Sequence, residues 1–396
     1  MNPGRPRRRS ALLPVLLLAA LGGCGGKAKE PVRAAAKPPA VRPAPPRPSA
    51  PAVPAGVPPA AAALAARLPL ERQVAQLFLV GFPGTGAKAP GVAALGRRDW
   101  GGVVLERSNF AGAGQLGGLV GAVGSVARRA RHLPPLVVAD QPGGADTAFP
   151  GLPPAPEPRL GARGAAGASA ARREAASAGQ ALRRLGVRMT LAPDADVDVT
   201  GGALGARLFS ADAAAVARLT AAQVAGYGQA RMLSAPGHFP GQGAVNQDPA
   251  RGTASVGLGL SDLRARDELP FAAVARTAPA IVMSNSLYAA FDGVTPAGLL
   301  PDAVRELRDH AGFRGAVLSD DLEATLQPTG GTVGDAAVQA LQAGDDLLYV
   351  SGDRGEQDRA YAAVLAAARS GKLPRARLLE ALDRALALKA RAGLVR

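Results

Sequence analysis

Two adjacent carboxylates, Asp320 and Asp321, directly follow the short apolar run Gly315–Ser319. The end of a buried strand holds a side chain rigidly, and apolar neighbours raise the pKa of a carboxyl group, so this placement suits a reacting carboxylate. Adjacent acids after a strand also cap the first turn of a helix, because aspartate accepts hydrogen bonds from free backbone N–H groups. The segment by itself leaves both interpretations open.

Polar side chains and glycines follow several other apolar runs of the chain. A pocket for a hydroxyl-rich ligand needs such groups, since carboxylates accept hydrogen bonds from hydroxyls and glycines let the backbone approach closely. Three acids close together also suit a cation, but acids at a strand end more often anchor loops, and we expect no metal site. The groups are Asp140 with Gly143 and Gly144, Asp194 with Asp196 and Asp198, His238 within residues 237–243, and Asn285.

Apolar runs alternate with alanine-rich amphipathic stretches from about residue 64 onward, and this alternation predicts parallel βα units. Eight units fit a single α/β domain, a TIM-type (β/α)8 barrel over residues 64–396, better than an open doubly wound sheet. In such a barrel the polar groups after each strand converge on one face. The predicted strands are residues 75–82, 102–106, 135–140, 188–192, 230–234, 280–284, 315–319 and 346–350. The predicted helices include residues 169–185, 212–227, 262–277, 301–310, 334–343, 360–370 and 375–391.

Composition argues against cofactor and nucleic-acid binding. No Gly-x-Gly-x-x-Gly sequence follows the first predicted strand and no P-loop occurs, so we expect no cofactor. The net charge of +15 divides into +9 over residues 1–60 and +6 over the remaining 336 residues. Aromatic residues for base stacking make up only 4% of the chain. We therefore expect no nucleic-acid partner.

The first residues predict export and membrane attachment. Residues 1–23 combine four arginines with an apolar run too short to span a bilayer, which is typical of a signal peptide. Cys24, the only cysteine, directly follows and resembles the acylated cysteine of bacterial lipoproteins. Residues 24–63 are rich in proline and alanine and predict a disordered tether. We expect a secreted, lipid-anchored protein that faces the periplasm or cell wall.

The ordered motifs of the predicted barrel resemble those of glycoside hydrolase family 3, in particular the single-domain bacterial β-N-acetylglucosaminidases. The resemblance covers about residues 66–394. It includes the strand that ends in Asp-Gln-x-Gly-Gly, the Ala-Pro-x-x-Asp-Val segment, Arg-x-Phe and the His-Phe-Pro-Gly turn. The matching segments are 136–144, 191–197, 207–209, 237–243, 268–271, 312–315 and 343–346.

The resemblance implies a role for each matched residue. Asp320 aligns with the nucleophile of a retaining double displacement, and Asp321 is then a neighbour that either caps the following helix or supports the nucleophile without contacting the sugar. Asp140, Arg207 and His238 match positions that bind the sugar, whereas Asp196 is interpreted as structural. The implied substrate is a β-linked N-acetylglucosamine glycan derived from peptidoglycan, and we expect a monomer.

Several positions depart from the family pattern. The family's acid/base histidine lies in an Asp-Ser-His triplet, which here reads Asp248-Pro249-Ala250, so only the aspartate of that dyad is kept. The turn's lysine is replaced by Gly237, its second histidine by Gln242, and the glutamate before the paired glycines by Pro142. Two hypotheses follow: a β-N-acetylglucosaminidase in which Asp248 is the remnant of the dyad, or a barrel that has lost turnover and binds glycans or muropeptides.

Overall fold

The computed structural model describes residues 54, 56–144, 147–205 and 207–395, apart from the side chain of residue 327. The predicted signal peptide, Cys24 and most of the predicted tether lie outside these residues. The first helix, Pro59–Arg67, begins before residue 64 and buries Ala61 and Ala65 against the domain. Within the described part of the chain, no helix has the length and apolar character needed to cross a bilayer.

The described residues form ten strands, and eight of these make one parallel sheet. The order in the sheet is β5-β4-β3-β2-β1-β10-β9-β7, while β6 and β8 form a separate parallel pair. The strands are β1 Phe78–Val80, β2 Gly102–Leu105, β3 Leu136–Ala139, β4 Met189–Thr190, β5 Leu233–Ser234, β6 Ser255–Val256, β7 Ala280–Val282, β8 Leu287–Tyr288, β9 Ala316–Asp321 and β10 Leu347–Val350.

Backbone hydrogen bonds beyond β5 bring the two edges of this sheet together. Phe239 N donates to Val282 O at 2.9 Å, and Ser284 N donates to Phe239 O at 2.8 Å. The segment that follows β5 thus continues the strand toward β7, and the sheet becomes a nearly closed barrel. The predicted TIM-type (β/α)8 barrel is confirmed.

The barrel strands are apolar because helices cover their outer faces and side chains fill the interior. β2, β3 and β10 are buried at every residue. Gly102 is required where β2 meets β3, since a Cβ at this position would lie 2.2 Å from Leu136 O. The predicted strand 75–82 differs most from the structure, since β1 covers only Phe78–Val80, and β9 extends beyond the predicted end at residue 319. Asp320 and Asp321 are the last two residues of β9, not residues beyond its end.

Helices pack around the barrel in the order expected for βα units. The predicted helices are found, although residues 262–277 divide into a short α-turn, a π-helical segment and α9. The α-helices are α1 Pro59–Arg67, α2 Leu70–Ala75, α3 Pro90–Ala94, α4 Ala113–Arg129, α5 Glu157–Gly161, α6 Gly167–Arg184, α7 Ala213–Gln229, α8 Leu260–Asp262, α9 Leu269–Val274, α10 Pro301–Arg305, α11 Leu326–Thr329, α12 Val333–Ala343, α13 Arg354–Ser370 and α14 Arg375–Arg391. π-helical segments occupy Leu263–Asp267 and Glu306–His310.

Helix α4 was not among the predicted helices. Its five glycines lower helix propensity, which favours a loop interpretation. Its buried residues nevertheless recur every three or four positions, as in Leu116, Leu119, Val120 and Val123. This apolar face packs against buried side chains of the barrel and its helices. The free energy gained from this burial outweighs the lower helix propensity of the glycines.

Candidate active site

A cavity of about 690 Å³ opens at the carboxyl ends of the barrel strands. All five predicted site residues within the described chain, Asp140, Arg207, His238, Asp248 and Asp320, line it. Polar residues that follow predicted strands line it as well, namely Asp194, Gln242, Asn285 and Asp321. Further polar residues that the sequence did not indicate as part of a pocket also line it, and these are Glu106, Arg251, Glu323, Tyr349 and Ser351.

The end of β9 presents Asp320 to the cavity beside Asp321. Asp320 Oδ1 accepts a hydrogen bond from Asp321 N at 2.8 Å, which fixes the carboxylate. Asp321 Oδ1 accepts from Glu323 N and from Ser351 N, both at 3.2 Å. The capping role predicted for Asp321 is therefore confirmed, and this residue also ties β9 to the loop after β10.

The turn after β5 places His238 against a buried aspartate. Asp196 Oδ2 lies 3.0 Å from His238 Nδ1, while Asp196 Oδ1 accepts from His238 N at 3.2 Å and from Gln242 N at 2.7 Å. Gly241 is needed in this turn, because its φ is +118° and a Cβ would lie 2.6 Å from Asp267 Cβ. Asp196 thus anchors the turn and orients the imidazole, which agrees with its interpretation as structural.

The loop that follows this turn forms one wall of the cavity through residues 248–251. Asp248 caps a short 3₁₀ helix, Pro249–Arg251, by accepting from Ala250 N at 3.0 Å. Its other oxygen, Oδ2, lies 3.5 Å from Arg207 Nη1. Folding of this loop over the barrel mouth therefore brings Asp248 into the pocket, although position 250 offers only a methyl group there.

The opposite wall carries a carboxylate that the sequence did not reveal. Glu106 directly follows β2 and accepts a hydrogen bond from the hydroxyl of Tyr349 on β10. Both side chains line the cavity. Glu106 was included only as the final residue of a predicted strand. Its position at a strand end is the same signal that selected Asp140.

Burial and mutual repulsion shift the pKa values of the pocket acids upward. The pKa of Asp140 is raised to about 7, mainly by burial and further by the nearby charges of Asp194, Asp320 and Glu106, while His238 offsets part of the shift. Burial also raises the pKa of Asp321 to about 7. For His238, burial lowers the pKa, but the hydrogen bond to Asp196 and the surrounding carboxylates raise it to about 9. His238 is therefore a charged donor at neutral pH.

Chemically, this pocket suits a polar, hydroxyl-rich ligand. Fixed carboxylates accept hydrogen bonds from hydroxyls, the imidazolium and guanidinium donate to oxygen atoms, and a rigid carboxylate ends a barrel strand. The cavity volume of about 690 Å³ lies within the range of about 300–1,000 Å³ that is usual for small-molecule sites.

Comparison with known proteins assigns the class. Residues 69–388 match the model of the glycosyl hydrolase family 3 N terminal domain. A beta-hexosaminidase of Stenotrophomonas maltophilia (strain K279a) is 34% identical over 290 residues, which cover 69% of this chain and 83% of that protein.

Solved structures agree with this match. A glycoside hydrolase family 3 beta-N-acetylglucosaminidase from Paenibacillus sp. str. FPU-7 superposes with a TM-score of 0.78 at 32% identity, over 83% of this chain and 63% of that chain. The match therefore spans less than two thirds of the Paenibacillus protein. Beta-N-acetylhexosaminidase from Beutenbergia cavernae DSM 12333 gives a TM-score of 0.75 at 28% identity, over 82% of this chain and 99% of that chain.

A parallel barrel with carboxylates at its strand ends, together with these matches, defines an enzyme of the glycoside hydrolase class. The chain belongs to glycoside hydrolase family 3.

Proposed function

We propose that this enzyme removes β-linked N-acetylhexosamine units from glycans with retention of configuration, with Asp320 as the nucleophile. The observation that carries this proposal is the convergence of Asp320 with Asp140, Arg207 and His238 in one pocket, although they are separated by up to 180 residues in sequence. The names of the related enzymes support the choice of an N-acetylated sugar.

The proposed reaction has two steps. The Asp320 carboxylate attacks C1 of the sugar, and the bond from C1 to the leaving oxygen breaks as that oxygen takes a proton. Water then attacks C1, releases the Asp320 carboxylate and gives up a proton. The hydrogen bond from Asp321 N holds Asp320 in place through both steps.

The other matched residues hold the sugar in this proposal. His238 carries a proton at neutral pH and donates to a sugar oxygen, because its pKa is raised to about 9. Arg207, which lies beside Asp248 on the cavity wall, donates hydrogen bonds to the sugar. The charges of both Asp320 and His238 influence the pKa of Asp140, so Asp140 lies near these two residues. In this position it can bind a sugar hydroxyl close to the reacting carbon.

We assign proton transfer to Asp248, the remaining member of the family's dyad. It lines the pocket on the same loop as Ala250, and no other residue of that 3₁₀ helix has an acidic side chain. Asp248→Asn should slow a substrate with a sugar leaving group by about 10²–10⁴-fold, but slow a 4-nitrophenyl glycoside much less, because an activated leaving group needs little protonation. Equal slowing of both substrates would contradict this assignment.

Hydrolysis of 4-nitrophenyl N-acetyl-β-D-glucosaminide tests the proposed function directly. The wild-type protein should release nitrophenol and give the β-configured sugar first, as seen by NMR. Asp320→Asn should lower kcat/KM on the order of 10⁴-fold or more, since a nucleophile has no substitute in this mechanism. Asp309→Asn is the matched control, since Asp309 is an exposed acid outside the pocket. Release no faster than in buffer contradicts the proposal.

Similarity to beta-hexosaminidases favours turnover over the alternative of a barrel that only binds glycans or muropeptides. If binding were the function, N-acetylglucosamine should bind in calorimetry while no glycoside is cleaved. Asp140→Ala should weaken that binding in either case, so the cleavage assay is the measurement that separates the two functions.

We further propose that the enzyme is a monomeric lipoprotein that acts on peptidoglycan-derived sugars at the outer surface of a bacterial membrane. The arginine-rich start, the apolar run and Cys24 support export and acylation, and the proline-rich residues from Cys24 up to α1, which begins at Pro59, support a tether. Cys24→Ser should move the protein from the membrane fraction to the soluble fraction. Unchanged fractionation argues against lipid anchoring.

A further inference from the structure

The active-site cavity carries a marked excess of acidic side chains. Seven acidic and three basic residues line it. Positions 237, 242 and 250, which also line it, are Gly, Gln and Ala and add no positive charge. The acidic residues are Glu106, Asp140, Asp194, Asp248, Asp320, Asp321 and Glu323, and the basic residues are Arg207, His238 and Arg251.

The basic side chains of the cavity are partly committed to protein carboxylates. Arg207 lies 3.5 Å from Asp248, and His238 is hydrogen-bonded to Asp196 outside the cavity wall. Among the described residues, no ion pair within 4.0 Å neutralises Glu106, Asp140 or Asp320. The charges of Glu106 and Asp320, together with that of Asp140 whenever it is ionised, therefore act on one another and on whatever enters the cavity.

Repulsion between these carboxylates shows in the site. The pKa of Asp140 is raised to about 7, first by burial and then by the charges of Asp194, Asp320 and Glu106. A bound cation would relieve this repulsion, because opposite charge nearby stabilises the ionised carboxylate. The pocket is therefore complementary to a positively charged ligand.

The spacing of the carboxylates favours an organic cation over a metal ion. Within the described chain, one group of three potential ligands has its donor atoms within 4.8 Å of one another, and it consists of Glu268, Glu306 and His310, away from the pocket. The pocket acids are instead distributed around a cavity of about 690 Å³. Metal ions require ligand oxygens that converge at about 2.0–2.6 Å from one point, whereas a protonated sugar extends across several of these groups.

We infer that this pocket takes β-linked 2-amino-2-deoxy sugars with a free C2 ammonium group as substrates, in addition to the N-acetylated sugars of the proposed function. The inference rests on that proposed function, since it concerns the same pocket and the same attack by Asp320. It names de-N-acetylated glucosaminides as a second substrate class.

The reaction chemistry permits this substrate. In the proposed double displacement the Asp320 carboxylate attacks C1, so the acetyl carbonyl is not required as a nucleophile. A C2 ammonium repels the positive charge that develops at C1 in the transition state, and this normally slows cleavage. Carboxylates fixed around the sugar offset that repulsion, and they act strongly because the site is partly shielded from water. The second step consumes one water and no other reactant.

Glu106 is the residue best suited to test the inference. The hydroxyl of Tyr349 holds its carboxylate at the cavity wall, and the proposed hydrolysis assigns it no part. Glu106→Gln removes the charge but keeps an oxygen that can accept from Tyr349. Asp309→Asn again serves as the control for the loss of one negative charge outside the pocket.

The experiment compares 4-nitrophenyl β-D-glucosaminide with its N-acetylated counterpart at about pH 6, where such an amine is protonated. For the wild-type protein we expect a kcat/KM for the free amine of at least a tenth of that for the N-acetylated substrate. Glu106→Gln should lower kcat/KM for the amine by about tenfold or more, and for the N-acetylated substrate by less than about threefold. Raising the salt concentration from about 0.05 M to 0.5 M should weaken only the amine reaction.

Each outcome is decisive. Suppose the N-acetylated substrate is cleaved, but kcat/KM for the free amine is below a tenth of the value for the N-acetylated substrate. This result overturns the inference and leaves the proposed function standing. Equal effects of Glu106→Gln on both substrates overturn the charge-based explanation. If neither substrate is cleaved, the proposed function fails and the inference fails with it, since both require attack by Asp320.

Discussion

Two groups of carboxylates lie at opposite ends of the barrel strands, and they differ in how their charge is balanced. Asp346 directly precedes β10 and is fully buried, with Arg308, Arg377 and Arg384 at 2.7–3.1 Å from its oxygens. In the pocket at the other end, seven acids face three basic residues. At one end of the barrel, arginines of the protein neutralise the carboxylate of Asp346. At the other end, the acidic side chains outnumber the basic ones, so negative charge can interact with a ligand.

The pKa values follow this difference. Burial alone raises the pKa of Asp346, but the charges of Arg377, Arg384 and Arg308 outweigh it and hold that pKa below its ordinary value. Burial is also the main cause that raises the pKa of Asp140 to about 7, but here the nearby acids Asp194, Asp320 and Glu106 add to the effect of burial, and His238 offsets only part of it. Loss of hydration thus raises the pKa in both groups, and the sign of the neighbouring charge decides whether a carboxylate stabilises the fold or remains available for function.

Removing the charge of Asp346 should have the largest effect on stability. Asp346→Asn leaves three buried arginines without their common partner, and removal of one member of a buried ion pair costs about 3–5 kcal/mol. Chemical denaturation at pH 7 should show this loss in the free energy of unfolding. Because the pKa of Asp346 is lowered in the folded state, the loss should shrink as the pH falls below the unfolded value of 3.8 and through the lower folded value. A variant as stable as wild type at pH 7 would show that the arginine cluster is not a stabilising feature.

Asp140→Asn should change stability in the opposite direction. Between about pH 4 and pH 7 the unfolded chain releases the proton of Asp140 while the folded chain keeps it, so wild type loses stability as pH rises. The free energy of unfolding of the variant, relative to wild type, should therefore increase by on the order of 2–4 kcal/mol from pH 4 to pH 8. Denaturation series at several pH values measure it. A difference that is constant with pH contradicts the raised pKa.

Substitution of an exposed carboxylate should have the smallest effect on stability, and it serves as the reference for the Asp346 and Asp140 variants. The side chain of Asp302 is 66% exposed and pairs with Arg305 one helical turn away. Asp302→Asn should change the free energy of unfolding by less than about 0.5 kcal/mol at any pH, because water already solvates this charge. A larger change would mean that effects at Asp346 and Asp140 do not arise from burial.

Much of the barrel was predictable because strands and helices leave periodic local patterns. The runs that became β2, β3 and β10 are continuously apolar, as expected for strands covered on both faces. The glycine-rich α4 was missed, since its stability comes from packing of Leu116, Leu119 and Val123 and not from local propensity. The separate pair of β6 and β8 was also missed, because two-residue strands carry no detectable alternation.

For the active site, the sequence indicated types of residue but not their partners. Asp140, His238 and Asp320 were selected because they end predicted strands or lie in a distinctive turn, and the structure places them in one cavity. The contacts of His238 with Asp196 and of Glu106 with Tyr349 join residues 42 and 243 positions apart. No local pattern encodes contacts of that kind.

The sequence by itself determined the order of βα units, the family motifs and the carboxylate pair at the end of β9, since these depend on local apolar patterns and residue identity. Only the tertiary structure decided which carboxylates share a pocket and which are neutralised by arginines. The physical reason is that a carboxylate's pKa and charge depend on burial and on neighbours brought together by the closed barrel. Asp140 and Asp346 are both aspartates beside apolar strands, and only folding gives them opposite environments.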